Sequence, residues 1–243
     1  LALKLALFPL HMWLPSAYTY APSAVTVFLA ATATKVAVYA LIRVTYTIFG
    51  TVDILDTVAV REVLMVLSLL AMFVGSLVAI FQVNVKRMLA YSSIAQIGYM
   101  VLGLSFDTVT GVAAGIIHLF NHALMKGSLF MVLGAVMYRT GSVHLHDMAG
   151  LGKSMPLTMA AFGAGGFSRI GIPLSVGFGS KWYLILAALE KGWWPVAILI
   201  VICSLLAVIY VWRVVEVVYF LSTWYTGGEL LLGAAYTHSR AKI

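Results

Sequence analysis

Apolar residues dominate this 243-residue chain in long runs that short polar segments separate. Runs of about 20 apolar residues are long enough to cross the hydrocarbon core of a bilayer, roughly 30 Å thick, as helices. The runs are continuous and do not alternate with period two, which favours helices over a membrane β-barrel. The pattern predicts an all-α, polytopic membrane protein with seven spans, at about 1–21, 23–47, 63–81, 86–104, 109–138, 156–189 and 194–221.

Prolines interrupt the first and the sixth of these spans. Pro9 and Pro15 fall in the first span, and Ile170-Gly171-Ile172-Pro173 falls in the sixth, which is too long for one straight crossing. Non-helical backbone at membrane depth is tolerated only where it is buried in protein or lines a water-filled cavity. Paired broken helices mark the binding site in several transporter folds. The interruptions therefore favour a transport role over ordinary proline kinks, which are the alternative.

Four lysines lie within the predicted spans without an acidic neighbour in sequence: Lys4, Lys35, Lys126 and Lys181. A charge in the hydrocarbon region costs about 2.5 kcal/mol or more, so a chain that keeps several is expected to use them. Burial disfavours the charged ammonium, which allows such a lysine to take up and release protons. These residues predict proton handling across a membrane. For Lys35 and Lys181 the alternative is snorkelling to the interface, to which the nearly central Lys35 is less suited.

His118, His122 and Lys126 follow one another at intervals of four residues, so a helix places all three on one face. Histidine titrates near neutral pH and can pass a proton through its two ring nitrogens. The stripe predicts a proton wire. Hydrogen bonding between helices is one alternative. A metal site is the other, although neither a cysteine nor a carboxylate stands nearby to complete a zinc shell.

Two arginines also fall within predicted spans. Arg169 stands beside the second interruption, where it either acts on a neighbouring lysine by like-charge repulsion or donates to carbonyls that the break frees. Arg213 and Glu216 lie three positions apart in the last span and predict a structural ion pair, with a transport role as the alternative.

The composition agrees with a membrane protein, at 63% hydrophobic and 9% charged residues. The formal net charge of +7 does not indicate nucleic-acid binding, because part of it lies in the spans and most of the rest in short loops. The single cysteine, Cys203, excludes an internal disulfide and a cysteine metal cluster. We expect no cofactor and no metal in this chain.

Loop charges predict the orientation. One face carries Asp53, Asp56, Arg61, Glu62, Asp107, Glu190 and Lys191, and the other carries Lys86, Arg87, Arg139, Lys153, Arg240 and Lys242, with His144, His146 and Asp147. The positive-inside rule places the second face on the cytoplasmic side, or on the matrix or stromal side in an organelle. The tail 222–243 loses the apolar periodicity, and its Gly227-Gly228 pair suggests a break.

Several motifs occur together along the chain: Lys4-x4-Pro9-Leu10-His11-x-Trp13-Leu14-Pro15, Lys35-Val36, Lys86-Arg87-x2-Ala90-Tyr91-Ser92-Ser93-x2-Gln96-x-Gly98-Tyr99, His118-x3-His122-Ala123-x2-Lys126 and Gly171-Ile172-Pro173-x3-Gly177-Phe178-x-Ser180-Lys181. In this combination the chain resembles the antiporter-like membrane subunits of respiratory complex I, Mrp-type cation/proton antiporters and membrane-bound hydrogenases. The resemblance covers nearly everything up to about Phe220.

The resemblance implies an antiporter-like fold of two inverted five-helix repeats, each with a broken helix. Residues 1–47 would be the last two helices of the first repeat, 60–221 the whole second repeat with its broken helix at 156–189, and 222–243 a C-terminal tail. The chain begins at Leu1 inside an apolar segment, and we expect it to be a fragment whose earlier helices are missing.

The resemblance also assigns roles to residues. Lys4 would pair with a glutamate on an earlier helix, which either precedes Leu1 or is lost. Lys181 would be the terminal lysine of the exit side, and the central hydrophilic axis would consist of Lys35, His118, His122 and Lys126. Arg169 and Asn84 depart from the family pattern, in which an apolar residue and often an aspartate stand at these positions.

The function predicted from this resemblance is a proton-translocating, antiporter-like subunit of a multisubunit complex, active as a translocase only within it. Phe8-Pro9, Lys181-Trp182-Tyr183 and the region of Glu190 look most Mrp D-like, which favours cation/proton antiport with Na⁺ or K⁺. The alternatives are a proton-pumping subunit of a complex I-like NADH-quinone oxidoreductase or membrane-bound hydrogenase, and a structural membrane scaffold. The expected partners are other membrane subunits in the inner membrane of a bacterium or archaeon.

Overall fold

The computed structural model describes residues 1–48 and 60–221, which contain helices and one isolated β-bridge but no β-strand. Asp53, Asp56 and the tail 222–243, with Gly227-Gly228, Arg240 and Lys242, lie outside the described residues. The helices are α1 (Ala2–Leu5), α2 (Trp13–Tyr20), α3 (Ser23–Ile48), α4 (Val60–Ile80), α5 (Val85–Ser105), α6 (Val109–Thr140), α7 (Leu151–Ser154), α8 (Pro156–Ile170), α9 (Val176–Glu190) and α10 (Trp194–Tyr219).

Five of the seven predicted spans, and the interruptions of the other two, are confirmed within the described residues. Five helices, α3, α4, α5, α6 and α10, are each long and apolar enough to cross a membrane. The first predicted span is divided into α1 and α2, and the sixth into α8 and α9. The chain is thus an all-helical, integral membrane protein with discontinuous helices.

Helix α5 forms the centre of the bundle, and every residue in it except Arg87 is buried. It packs against α4 and α6 over most of its length and also contacts α2, α3, α9 and α10. A helix buried on all sides is usually apolar all round. Helix α5 instead brings Ser92, Ser93 and Gln96 into the interior, where each side chain is hydrogen-bonded.

Helix α6 has the reverse of the amphipathic pattern found in soluble proteins. His118, His122 and Lys126 point inward and are fully buried, whereas Phe120 and Leu124 on the outer face are 64% and 70% exposed. An apolar outer face is what lipid or a neighbouring membrane subunit requires. The predicted polar stripe therefore lies on the interior side of the helix.

Helix α3 is not regular along its length. It passes from α-helix to a π-helical stretch at Leu29–Ala33, returns to α-helix at Thr34–Arg43, and ends in a second π-helical stretch at Val44–Ile48. π-Helical turns within α-helices occur frequently at functional sites. The first stretch packs against α6 and directly precedes Lys35.

The two faces predicted from loop charges are each held by specific contacts. On the acidic face, Arg61 pairs with Asp107 at 3.1 Å, and Thr110 donates to Glu190 at 3.0 Å. On the opposite face, the Asn84 side chain accepts a 3.1 Å hydrogen bond from the Arg87 amide and caps α5. Asn84 thus serves as a helix cap where the family pattern suggested an aspartate in a loop ion pair.

Two charged side chains differ from their sequence-based description. Lys86 was assigned to a loop face, but it is buried and donates to the Ser23 hydroxyl at 3.3 Å. The predicted Arg213–Glu216 ion pair is wrong for the described structure. Arg213 instead donates to the main-chain carbonyl of Ile80 at 2.9 Å, because that carbonyl at the end of α4 needs a donor.

Candidate functional site

The break between α8 and α9 depends on two glycines. Gly171 ends α8 in the left-handed region at φ +88°, which favours a residue without Cβ. Gly177, in the first turn of α9, approaches α8 so closely that a Cβ would lie 1.8 Å from the Ser168 carbonyl oxygen. The break leaves the carbonyls of Arg169 and Ile170 free to accept hydrogen bonds from a side chain.

Lys181 occupies these freed carbonyls. Its ammonium donates to the carbonyl oxygens of Arg169 and Ile170, both at 2.9 Å, and to the Ser204 hydroxyl on α10 at 3.0 Å. It also lies 4.8 Å from the centre of the Tyr99 ring. The residue is 4% exposed, so Lys181 is held inside the protein and does not snorkel to the interface.

His118 links three helices through its two ring nitrogens. Nδ1 is 2.8 Å from the Ser180 hydroxyl on α9, and Nε2 is 2.9 Å from the Gln96 amide oxygen on α5. Rotation of the Gln96 amide exchanges its oxygen for its NH₂ group. The Ser180 hydroxyl can likewise donate or accept. His118 therefore has partners suited to both its neutral and its protonated forms.

His122 is fully buried one turn along α6 from His118. The two imidazole rings are nearly parallel, 3° apart in plane, with centroids 6.4 Å apart. Neither ring nitrogen of His122 has a hydrogen-bond partner among the described residues. Burying unpaired polar atoms is costly, so the packing of this side chain alone does not explain a histidine here.

Lys126 continues the stripe and is fully buried. Its ammonium donates to the main-chain carbonyl of Leu89 and, at 3.3 Å, to the Ser92 hydroxyl, both on α5. The ammonium also faces the Phe130 ring at 5.3 Å from the centroid. The carbonyl, the hydroxyl and the aromatic ring all stabilise a cation. Unlike a carboxylate, these neutral groups do not hold the proton permanently on the lysine.

Arg169 is buried in the same region. Its guanidinium donates from Nε to the Tyr210 hydroxyl at 3.0 Å and from Nη2 to the Ser92 carbonyl. Of the two roles predicted for it, donation to the freed carbonyls is wrong, because Lys181 takes them. Ser92 now joins Lys126, through its hydroxyl, to Arg169, through its carbonyl.

Lys35 approaches the network from α3. It is 5% exposed, and its ammonium donates to the Ala30 carbonyl within the π-helical stretch. Helix α3 packs against α6 around this position. No described hydrogen bond joins Lys35 to the groups on α6 and α8.

Lys4 is not part of this arrangement. It is exposed on α1, beside Leu3, whose carbonyl accepts a 2.9 Å hydrogen bond from the Trp13 indole. Of the six predicted pathway residues, the structure therefore brings five together in the interior and leaves Lys4 at the surface of the described chain.

Sequence analysis did not assign roles to the neutral residues that connect these cations. Ser92, Gln96 and Tyr99 stand four and three positions apart on α5, so they lie on one face of that helix. Tyr99 contacts both ends of the site, since its hydroxyl is 3.3 Å from Ser204 and its ring centroid is 5.5 Å from that of His118. The helical spacing of these polar residues within an apolar span is the signal that could have identified them.

The site is therefore a buried cluster of cations bound by neutral groups. Among the described residues, Arg61–Asp107 and His146–Asp147 are the contacts with ion-pair geometry, and neither involves the buried lysines. The described part also offers no group of three or more histidine, cysteine, aspartate or glutamate side chains suited to hold a metal. Since like charges repel strongly in a medium of low dielectric constant, a charge on one of these lysines disfavours a charge on its neighbours.

The chain is similar to proteins of known assembly over most of its length. It is 46% identical over 219 residues to NADH-quinone oxidoreductase subunit N of Desulforudis audaxviator, covering 90% of this chain and 43% of that protein. It is 34% identical to F(420)H(2) dehydrogenase subunit N of Methanosarcina mazei, with 90% and 45% covered. The chain spans about half the length of the curated relatives that it matches.

The chain is also similar in fold to a solved structure. A chain of the Mrp complex from Dietzia sp. superposes with a TM-score of 0.84 at 34% identity, covering 90% of this chain and 40% of that one. The family described as "NADH:quinone oxidoreductase/Mrp antiporter, TM" matches residues 1–207. These residues include the breaks, the histidine stripe and the buried lysines, and the chain belongs to this family of transmembrane proteins.

Proposed function

We propose that the chain is part of a proton-translocating, antiporter-like subunit of a multisubunit complex in a bacterial or archaeal cell membrane. The observation that carries the proposal is the buried cluster of Lys126, Lys181 and His118, whose partners are main-chain carbonyls, hydroxyls and an amide on α5, α8, α9 and α10. Buried ionisable residues at membrane depth are expected to serve transport, because they are otherwise costly.

The proposed path consists of the six residues identified from the sequence. Protons would pass along Lys4, Lys35, the stripe of His118, His122 and Lys126, and Lys181. Movement of a charge onto one lysine repels protons on the next, so loading at one site is coupled to release at another. Lys4 is the residue that the described contacts support least, because none of them joins it to the acidic partner that the family pattern implies.

Proton transport by the reconstituted complex tests this proposal. Lys126→Ala should reduce the transport rate by about tenfold or more, since a positioned proton-transfer group is removed. Lys153→Ala, which changes an exposed lysine in α7, is the matched control and should leave the rate unchanged. Undiminished transport by the Lys126→Ala complex would contradict the proposed path.

For the parent complex we favour an NADH-quinone oxidoreductase-type assembly over an Mrp antiporter. The specific observation is the identity of 46% to a subunit N, against 34% to the chain of the Mrp complex. The motifs noted in the sequence favoured a Mrp D-like protein, so both assemblies stay candidates. Subunits that co-purify with the full-length protein distinguish them: iron–sulfur subunits indicate the first, and further antiporter subunits with Na⁺- or K⁺-dependent proton exchange indicate the second.

A further inference from the structure

Arg169 is a buried cation that the proposed path does not use. It is 1% exposed, although arginine is rarely buried without a partner. The guanidinium is fixed from two helices, by the Tyr210 hydroxyl on α10 and the Ser92 carbonyl on α5, and it stands 5.7 Å from the centroid of the Tyr210 ring. A side chain bound in this way has a defined position and a defined direction.

Arg169 is linked to both lysines of the network, to Lys126 through Ser92 and to Lys181 directly. Its guanidinium shares residue Ser92 with the Lys126 ammonium, and its main-chain carbonyl accepts from the Lys181 ammonium at 2.9 Å. Hydrogen bonds thus connect Lys126 to Lys181 through Ser92 and Arg169. Arg169 is therefore the residue of the network that is linked to both lysines.

The charge of Arg169 differs in kind from those of its neighbours. A guanidinium does not lose its proton in proteins, whereas a buried lysine can. In the described residues no carboxylate faces it, since Glu62, Asp147, Glu190 and Glu216 are exposed and Asp107 is only partly buried next to Arg61. The network therefore contains one permanent positive charge that no described anion neutralises.

The titratable groups around Arg169 come from every helix packed around the network. Helix α6 supplies His118, His122 and Lys126, α9 supplies Lys181, and α3 supplies Lys35, and all five side chains are buried. Tyr99 on α5 and Tyr210 and Cys203 on α10 complete the surroundings and are neutral in their ordinary protonation states. The lysines and histidines among these neighbours are cationic or neutral, and none of the neighbours carries a negative charge in its ordinary protonation state.

We infer that Arg169 is a positioning residue whose permanent charge, held beside Lys126 by Ser92 and on the residue whose main chain binds Lys181, favours proton release from both lysines. The inference rests on the proposed proton path. A fixed cation destabilises each protonated lysine by Coulomb repulsion, so protons leave the network more readily than from lysines alone. The two hydrogen bonds from the guanidinium hold that charge in place while the lysines change theirs.

The test compares variants in the assembled complex that contains the full-length protein. Arg169→Gln removes the charge and keeps a donor for Tyr210 or Ser92, whereas Arg169→Lys replaces the permanent charge with one that can be lost by deprotonation. Arg213→Gln is the matched control, because Arg213 donates to the Ile80 carbonyl outside the network. The readouts are the amount of assembled complex and the proton-transport rate as a function of pH.

We expect Arg169→Gln to move the alkaline limb of the transport profile by about one pH unit to higher pH, since lysines without the repelling charge retain protons longer. Arg169→Lys should move it less, and Arg213→Gln should not move it. An unchanged profile for Arg169→Gln in a normally assembled complex would overturn the inference. If Arg169→Gln does not assemble, Arg169→Lys is the test: a shift of its alkaline limb to higher pH supports the inference, because the charge of a lysine can be lost, and an unchanged profile contradicts it.

The same experiment distinguishes this inference from the proposed function. If Lys126→Ala abolishes transport while Arg169→Gln leaves its pH profile unchanged, the path stands and the role of Arg169 is wrong. If Lys126→Ala transports protons normally, the path itself is wrong, and the inference falls with it.

Discussion

The Lys181 ammonium donates a 2.9 Å hydrogen bond to the main-chain carbonyl of Arg169, a residue whose own side chain is a buried cation. The contact exists because α8 ends at Ile170 and leaves its last carbonyls without helical donors. Helix breakage thus supplies the ligand for the lysine, and the lysine in turn stabilises the broken helix. The Arg169 carbonyl and the Lys181 ammonium therefore belong both to the helix break and to the proposed proton path.

This mutual dependence predicts that closing the approach of α9 to α8 disrupts the site. Gly177→Ala places a Cβ against the Ser168 carbonyl and should destabilise the protein by about 1–3 kcal/mol or more through overpacking. Gly179→Ala in the same helix is the control, because nothing lies within 4 Å of its Cβ. The measurement is the thermal unfolding temperature of the purified complex. Equal unfolding temperatures for the two variants would contradict the close contact.

The pairing of His118 with Gln96 predicts a second effect. Gln96→Leu leaves a ring nitrogen of a fully buried histidine without its partner, which costs about 1–3 kcal/mol. We expect the proton-transport rate of the reconstituted complex to fall by about tenfold, because the orientation and protonation of His118 change. Gln82→Leu serves as control, since Gln82 donates only to the Val78 carbonyl near the end of α4. Equal rates for both variants would show that His118 does not need Gln96.

The Asp107 carboxylate on the acidic face should contribute to stability and not to transport. It accepts from Arg61 at 3.1 Å and from the Tyr46 hydroxyl at 3.4 Å, but it is partly exposed. Asp107→Asn keeps a residue that tolerates its positive φ of 49° and should lower the unfolding temperature by about 1–2 °C, as expected for about 0.5 kcal/mol. Glu62→Gln, an exposed neighbour, should have no effect. A loss of transport in Asp107→Asn would place this residue in the path.

The spans, the breaks and the inward-facing stripe could be predicted from sequence because each depends on local pattern. The period of 3.6 residues places His118, His122 and Lys126 together, and Pro173 with Gly171 marks where α8 ends. Hydrogen-bond partners on different helices are not marked by any local pattern in the sequence. Nothing in the sequence near Arg213 points to the Ile80 carbonyl 133 positions away, and the local spacing suggested Glu216 instead.

The burial of Lys86 and the exposure of Lys4 were missed for the same reason. Both lysines lie at the ends of helices, where the hydropathy of the chain is similar whether the residue faces solvent, lipid or another helix. Lys86 is buried because α5 packs against α2 and α3. The exposure of Lys4 depends on what the surface of α1 contacts in the whole protein. The division of the chain into 1–47, 60–221 and 222–243 as parts of two repeats stays a prediction.

The central claim is that the buried lysines carry protons, and Lys181 provides the most direct measurement. The reconstituted complex with Lys181→Ala should assemble and lose about tenfold or more of its proton-transport rate per assembled complex. Lys191→Ala, an exposed lysine directly after α9, should transport at the original rate. Equal rates for Lys181→Ala and Lys191→Ala in assembled complexes would contradict the account.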